Sequence, residues 1–319
     1  MSGSAPLRIT LWSAIALLAA LTALRPAPPV EGGKALSPWR AVIERLREDR
    51  ASRIAIAFLT ALALATLLSA WLAPFPPNDL LEPELLRGRS PSWLHLFGTD
   101  RASRDVFSRM LVGARISLGI ALLAILLAAT VGTCWGAIAG YYGGVVDSVM
   151  MRLVDTALAI PRVLLLLAIL SLWGALTIPE LVILLGATGW FDVSRLVRAE
   201  VLSAREREMV LAARALGAGN GRILWRHVLP NAISPAIVAA ALGIGNVLIL
   251  EAGLSFLGMG VQPPDPSWGT MIGEGSSQLS ALWWVSVFPG LAIVLTALSF
   301  NTLGDGLRDA LDPRQLPRR

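Results

Sequence analysis

Lysine is almost missing from this sequence, and charge of any kind is scarce. Among 319 residues the one lysine is Lys34, in Gly33-Lys34-Ala35. The phosphate-cradling loop GxxxxGK[ST] is therefore absent, and any ATP-driven activity must draw on another chain. Charged residues make up 15% of the chain, against roughly 25% in an average soluble domain, which argues against a soluble enzyme. Cysteine is limited to Cys134. It cannot pair within its own chain, and no CxxC spacing offers a zinc site. The two histidines, His95 and His227, lie apart in polar segments and supply no metal site.

What is present is apolar: 55% of the residues are hydrophobic. A charge at the centre of a bilayer costs at least about 2.5 kcal/mol, so long runs without Asp, Glu, Lys or Arg mark the candidate spans. They are 9–24, 54–78, 116–146, 163–179, 227–250 and 275–304, with a shorter run at 181–191. These runs predict an all-α polytopic membrane protein with helices at about 54–73, 116–140, 150–173, 178–197, 232–257 and 281–303. The run at 9–24 is short, covering about 24 Å at 1.5 Å per residue against a hydrocarbon core of about 30 Å. It reads as an extra membrane helix, a signal-like segment behind Arg8, or an interfacial helix.

Basic residues flanking a span stay in the cytoplasm. Lys34, Arg40, Arg45, Arg47, Arg50 and Arg53 place segment 26–53 inside; alternation puts 74–115 and 258–280 outside, and 198–231 and the C-terminus inside. The chain divides into an N-terminal extension (1–39), a basic cytoplasmic segment (40–53), a transmembrane domain (54–307) and a cytoplasmic tail (308–319). One loop breaks the charge rule: 74–115 carries Arg87, Arg89, Arg101, Arg104, Arg109 and Arg115 yet falls outside. Within it, Asp100 to Gly113 has helical apolar spacing among charges and reads as a short interfacial helix.

The cytoplasmic loop 198–231 carries the most information. Residues 205–216 favour helix, with Ala212, Ala213 and Ala215 close together; Gly217-Ala218-Gly219 breaks it, and Asn220 is placed to cap a second helix. Small side chains at 212 and 213 between arginines suit either a docking surface or an ordinary solvated hairpin. Ala212-Ala213, Gly217 and then Leu229-Pro230 resemble the cytoplasmic loop of ABC-transporter permeases, whose pattern is Glu-Ala-Ala, three residues, Gly, nine residues, Ile-x-Leu-Pro. Leu211 stands where that pattern has Glu, and His227 where it has Ile.

Further segments resemble one branch, the second (DppC/OppC-like) permease subunit of dipeptide, oligopeptide and nickel importers. They are Phe97-Gly98-Thr99-Asp100, Arg104-Asp105-Val106, Gly113-Ala114-Arg115-Ile116-Ser117-Leu118, Gly140-Tyr141-Tyr142-Gly143-Gly144, Met151-Arg152-Leu153-Val154-Asp155, Glu251 to Gly258, QPPDPSWG from Gln262, and Asn301 to Asp309. Ser103 stands where the branch usually has Gly. The resemblance covers about residues 40–314. It implies six core transmembrane helices of the type I ABC importer permease fold in the cytoplasmic membrane and a pore shared with a second permease chain. It also implies two ATP-binding subunits carrying ATP and magnesium, and an extracytoplasmic binding protein that delivers substrate. It implies no cofactor on this chain and no nucleic-acid partner. Leu211, Ala212, Ala213, Gly217, Asn220, His227, Leu229 and Pro230 would then belong to the loop that couples to an ATPase subunit.

Four charges fall inside the proposed spans: Asp155, Arg162, Asp192 and Glu251. Such residues face the protein interior or a water-filled path. Arg162, just after Pro161, reads as a pathway cation for an anionic substrate group or as a structural ion pair with Asp155, Asp192 or the partner permease. Glu251 reads as a gating or proton-relay carboxylate, or as a helix-packing hydrogen bond. A stand-alone secondary transporter remains the competing function. An intramembrane serine protease would need a histidine in a span, and neither histidine is in one.

Overall fold

The computed structural model describes residues 38–79 and 86–311. The apolar run at 9–24 and the tail from 312 lie outside the described residues. The described residues begin with α1 (Pro38–Glu48) and continue into α2 (Arg50–Leu67). Between them the Asp49 carboxylate accepts from the backbone N–H of Ala51 and Ser52, at 3.4 and 2.7 Å, satisfying the open donors of α2. A short turn, α3 (Ser69–Leu72), follows; the expected helix over 54–73 thus begins four residues earlier and breaks at Leu68.

The longest element is α4 (Val106–Tyr142). It absorbs most of the expected interfacial helix, because its start is set by Asp105, whose carboxylate accepts from Ser108 N–H at 2.8 Å. The expectation of a separate amphipathic piece ending at Gly113 is corrected by this cap: the chain runs on unbroken into the span. Next come α5 (Gly144–Leu158) and α6 (Arg162–Trp173), bent by 76° at the intervening break. Pro161, which lacks an N–H and resists helix before it, splits the single helix expected over 150–173.

Helix α7 (Ile178–Ala204) starts at a capping box of Thr177 and Glu180. After the loop segment come α11 (Ser234–Phe256), α12 (Trp268–Ser276) and α13 (Leu279–Leu311); α8 to α10 belong to that loop and are given below. Among the described residues four helices, α2, α4, α11 and α13, are long and apolar enough to cross a membrane, five if α5 and α6 form one bent span. Helix α7 has the length, but Asp192, Arg195 and Arg198 interrupt its apolar run.

The core sits where α4 meets α7. Gly132, Gly136 and Gly140 form a stripe one turn apart along α4, and a Cβ on Gly132 would lie 2.6 Å from the Trp190 carbonyl oxygen. Gly136 and Gly140 press in the same way on the Ser194 and Arg198 carbonyls. Small residues at this spacing let two membrane helices approach backbone to backbone. Beyond the stripe, Ile120, Ala121, Ala124 and Ala128 of α4 pack with Leu166 of α6, Leu181 and Leu185 of α7 and Leu248 of α11 in one buried cluster.

Candidate functional site

The loop after α7 folds into a hairpin of α8 (Glu208–Ala215), α9 (Asn220–Ile223), a π turn over Leu224–Val228 and α10 (Leu229–Ala232). Arg205 to Arg207 form a turn rather than the first helical residues. Gly217 takes φ of 78°, the left-handed conformation that ends a helix cheaply only for glycine. The π turn precedes Pro230, whose missing N–H interrupts the α ladder; the wider i→i+5 bonding bridges that interruption.

The inner face of the hairpin is apolar and closed. Val210, Ile223, Leu224 and Val228 pack on Ala137 and Tyr141 of α4 and on Val197, Val201 and Ala204 of α7. Ala213 and Leu229 support that cluster from its edge. The outer face is open: Leu211, Ala212, Gly217 and Pro230 are exposed, and Leu216 is 88% exposed. Arg207, Arg214 and Arg222 are exposed around it. His227 is half-buried within the π turn, and its carbonyl accepts from Asn231 Nδ2 at 2.7 Å.

Polar contacts lock this hairpin to the membrane helices. The expectation that Asn220 caps the second helix is corrected: Gly219 occupies the cap position, and Asn220 Oδ1 instead accepts from the Tyr141 hydroxyl at 3.1 Å. Arg205 Nη1 donates to the carbonyls of Gly140 (2.9 Å) and Tyr141 (3.3 Å), which have no further helical partner at the end of α4. Arg198 grips Asp147 of α5 with two bonds of 2.5 Å. Gly143 takes φ of 65°, a conformation that glycine adopts without strain, and a Cβ there would lie 2.7 Å from Arg205 Nη1 and displace the guanidinium from the α4 carbonyls. The hairpin, the α4–α5 turn and the end of α7 are thereby one mechanical unit.

The intramembrane charges are arranged differently from one another. Asp155 pairs with Arg195 of α7. Arg162 makes no ion pair among the described residues; its Nη2 donates to the Leu185 carbonyl at 2.7 Å and its Nε to Thr188 Oγ1 at 3.3 Å. Neither the expected pair with Asp155 nor one with Asp192 forms, because Arg195 takes Asp155 and α7 offers its own carbonyl at the bend. Glu251 is fully buried; Oε1 accepts from Ser255 Oγ at 2.7 Å, and Oε2 has no hydrogen-bond partner among the described residues. Ser255 Oγ in turn accepts from Val261 N–H at 3.1 Å, so Glu251 holds the turn leading into the QPPDPSWG segment.

The opposite end of α4 carries a second polar assembly. Arg109, fully buried, donates to Glu274 Oε2 and Oε1 at 2.5 and 3.0 Å and to Asp100 Oδ2 at 2.7 Å. Arg104 completes the square, reaching Asp100 at 2.7 Å and Glu274 at 2.9 Å. Burial alone would raise the Glu274 pKa, but the hydrogen bond and charge of Arg109, with Arg104 adding to them, hold it below the usual carboxylate value. A depressed folded pKa contributes stability that is present above the unfolded value and lost as pH falls through the folded one. Because solvent reaches about a third of the Glu274 side chain and screens the pair, Glu274→Gln is expected to cost only about 1 kcal/mol near neutral pH and to flatten the loss of stability in acid, read by thermal melting between pH 7 and pH 3. Nearby, His95 Nδ1 meets Asp105 Oδ1 at 2.9 Å. Ser103 takes φ of 62°, the left-handed conformation that explains glycine in the resembling pattern.

Among the described residues no group of three or more His, Cys, Asp or Glu side chains could hold a metal ion. Long apolar helices around a close-packed glycine stripe, with a polar hairpin packed at one end, define a polytopic all-α membrane protein. Residues 132–316 match the family described as binding-protein-dependent transport system inner membrane component, and 37–85 match the N-terminal TM domain of oligopeptide transport permease C. The chain belongs to this family of ABC-importer permeases. It is 39% identical over 287 residues to the dipeptide transport system permease protein DppC of Alkalihalophilus pseudofirmus, covering 90% of this chain and 93% of that one. It is also 39% identical over 292 residues to the glutathione transport system permease protein GsiD of Escherichia coli O6:K15:H31, covering 92% and 96%.

Sequence reasoning reached the hairpin and the four charges. It missed the glycine stripe, the Arg198–Asp147 clamp and the Arg109–Glu274 square. The stripe has a readable signal, three glycines at intervals of four; the two ion pairs join residues 51 and 165 positions apart and have none.

Proposed function

We propose that this chain is one of two different permease subunits of an ATP-driven importer for small peptides in the cytoplasmic membrane. The observation that carries the reading is the hairpin. It packs on α4 and α7 on its inner side and leaves Leu211, Ala212, Leu216 and Gly217 open on its outer side. An open surface of leucine, alanine and glycine rimmed by arginines suits a cleft on an ATP-binding subunit. Two such subunits would hold the ATP and magnesium, and an extracytoplasmic binding protein would deliver the solute. The hairpin and the C-terminus then face the cytoplasm. Movement of the hairpin biases the pore between two states by differential binding of the ATPase dimer.

Peptide as the solute class is supported by the names of the relatives, one a dipeptide permease and the other a permease for glutathione, itself a tripeptide. Nickel complexes or another small solute are the alternative cargo for the same machine. Arg162 acts on this reading as a brace at the α5–α6 bend. Arg162→Gln is expected to leave the peptide half-saturation within about twofold and to lower the melting temperature, since a charged hydrogen bond to a carbonyl is worth about 2 kcal/mol; a selective loss of peptide affinity would return it to the pathway. The whole reading is tested by purifying the chain from its native membrane. ATP-binding subunits and a second permease should accompany it, and labelled peptide should enter proteoliposomes only with ATP and binding protein. Uptake by this chain alone would establish a secondary transporter instead.

A further inference from the structure

The arginines of loop 74–115 run against the charge rule, and the structure accounts for only part of them. Arg104 and Arg109 are balanced two for two by Asp100 and Glu274. Arg87 and Arg101 are exposed and make no ion pair among the described residues. Both line one cavity of about 660 Å³, together with the Arg104–Glu274 pair, Leu282 and Val285.

Hydrogen bonds to the backbone bring the two residues to one place. Arg87 Nε donates to the Arg101 carbonyl at 2.9 Å, and Gly88 N–H donates to the Asp100 carbonyl at 3.0 Å. The strap around residue 88 is thus tied to the strap around residue 101, and both guanidinium-bearing residues sit at the same cavity. The cavity lies beside the start of α4, while the hairpin lies at its end. A helix of 37 residues spans about 55 Å at 1.5 Å per residue, so the cavity opens on the membrane face opposite the hairpin. Among the described residues the lining carries three arginines, Arg87, Arg101 and Arg104, against two carboxylates, Asp100 and Glu274, beside apolar Leu282 and Val285; a concave site of that composition fits a carboxylate carried on a partly apolar protein surface.

We propose that this cavity is the anchor for an acidic side chain on the extracytoplasmic binding protein, received between Arg87 and Arg101. The inference rests on the importer reading above, and it adds to it a residue-level contact and its chemistry. Exposed charges that meet across an interface act mainly through encounter and salt-dependent affinity. The anchor therefore sets how much binding protein is needed and leaves the turnover of the loaded complex alone.

The test uses the full reconstituted complex and purified, peptide-loaded binding protein, with ATP hydrolysis read against binding-protein concentration at low and high salt. For R87E/R101E the half-saturating concentration should rise by about tenfold or more, its salt dependence should flatten, and the maximal rate should stay within about twofold. Arg89→Glu, an exposed arginine outside the cavity lining, should shift the half-saturation by less than about twofold. R87A/R101A gives the same comparison without introduced negative charge and should show the same direction. An unchanged half-saturation overturns the proposal. So does an equal effect of Arg89→Glu, a shift confined to peptide affinity at saturating binding protein, or loss of the second permease from both double variants, which would make the cavity a subunit interface. Failure of the unaltered complex to respond to binding protein would instead contradict the importer reading.

Discussion

The Ala212→Trp permease is expected to fold, to enter the membrane with its second permease, and to lose at least about tenfold of its ATP-driven uptake. Ala212 points outward from α8, and its methyl group sets how closely a partner can approach the hairpin backbone. An indole there adds bulk that a packed interface does not absorb; overpacking typically costs about 1–3 kcal/mol, and about 1.4 kcal/mol already means tenfold in affinity. The fold itself tolerates the change. Tryptophan costs well under about 1 kcal/mol of helix propensity, and the hairpin is held by Val210, Ile223 and Val228, which the substitution does not touch. Pull-down of ATP-binding subunits with the variant, beside its melting curve, separates lost docking from lost folding. Full uptake by Ala212→Trp would mean that this face meets no partner.

A still larger effect on stability is expected at Gly136. A side chain there would sit on the Ser194 carbonyl oxygen, a backbone atom that cannot rotate aside. Gly136→Leu must therefore push α4 off α7, opening the contact that Gly132 and Gly140 also need and slackening the base on which the hairpin rests. The cost is expected to be about 3 kcal/mol or more, with a matching fall in melting temperature and in yield of assembled complex. Gly119 lies on the same helix, and a methyl group added to it would meet no atom within 4 Å; Gly119→Ala should be neutral or slightly stabilising, because alanine is the better helix former. Equal melting of Gly136→Leu and the unaltered protein would show that α4 and α7 do not pack through this stripe.

Much of the architecture was legible because a bilayer penalises charge so strongly. Charge-free runs located α2, α11 and α13, and the Ala-Ala, Gly and Leu-Pro spacing located the hairpin. The same rule misjudged α4 and α7. It started α4 ten residues late because Arg109 and Arg115 looked like a boundary, yet Arg109 is neutralised by Asp100 and Glu274 and stays inside the helix. It ended α7 early because Arg198 looked like a loop residue, although Asp147 of α5 compensates its charge. A local rule cannot see a counter-charge that arrives from another helix. Asn220 failed for a related reason: its side chain suits a cap, but Tyr141 lies close enough to claim its oxygen.

Site-directed crosslinking of the hairpin is the most direct test that this chain couples to an ATPase from the cytoplasmic side. In a Cys134→Ser background, Ala212→Cys is the single thiol on the chain. It should crosslink to a cysteine placed in the docking cleft of an ATP-binding subunit, in a yield that changes when ATP is added, and it should resist a membrane-impermeant maleimide applied to intact cells. Labelling of Ala212→Cys from outside the cell, with no crosslink to any ATP-binding subunit, would contradict the cytoplasmic coupling role.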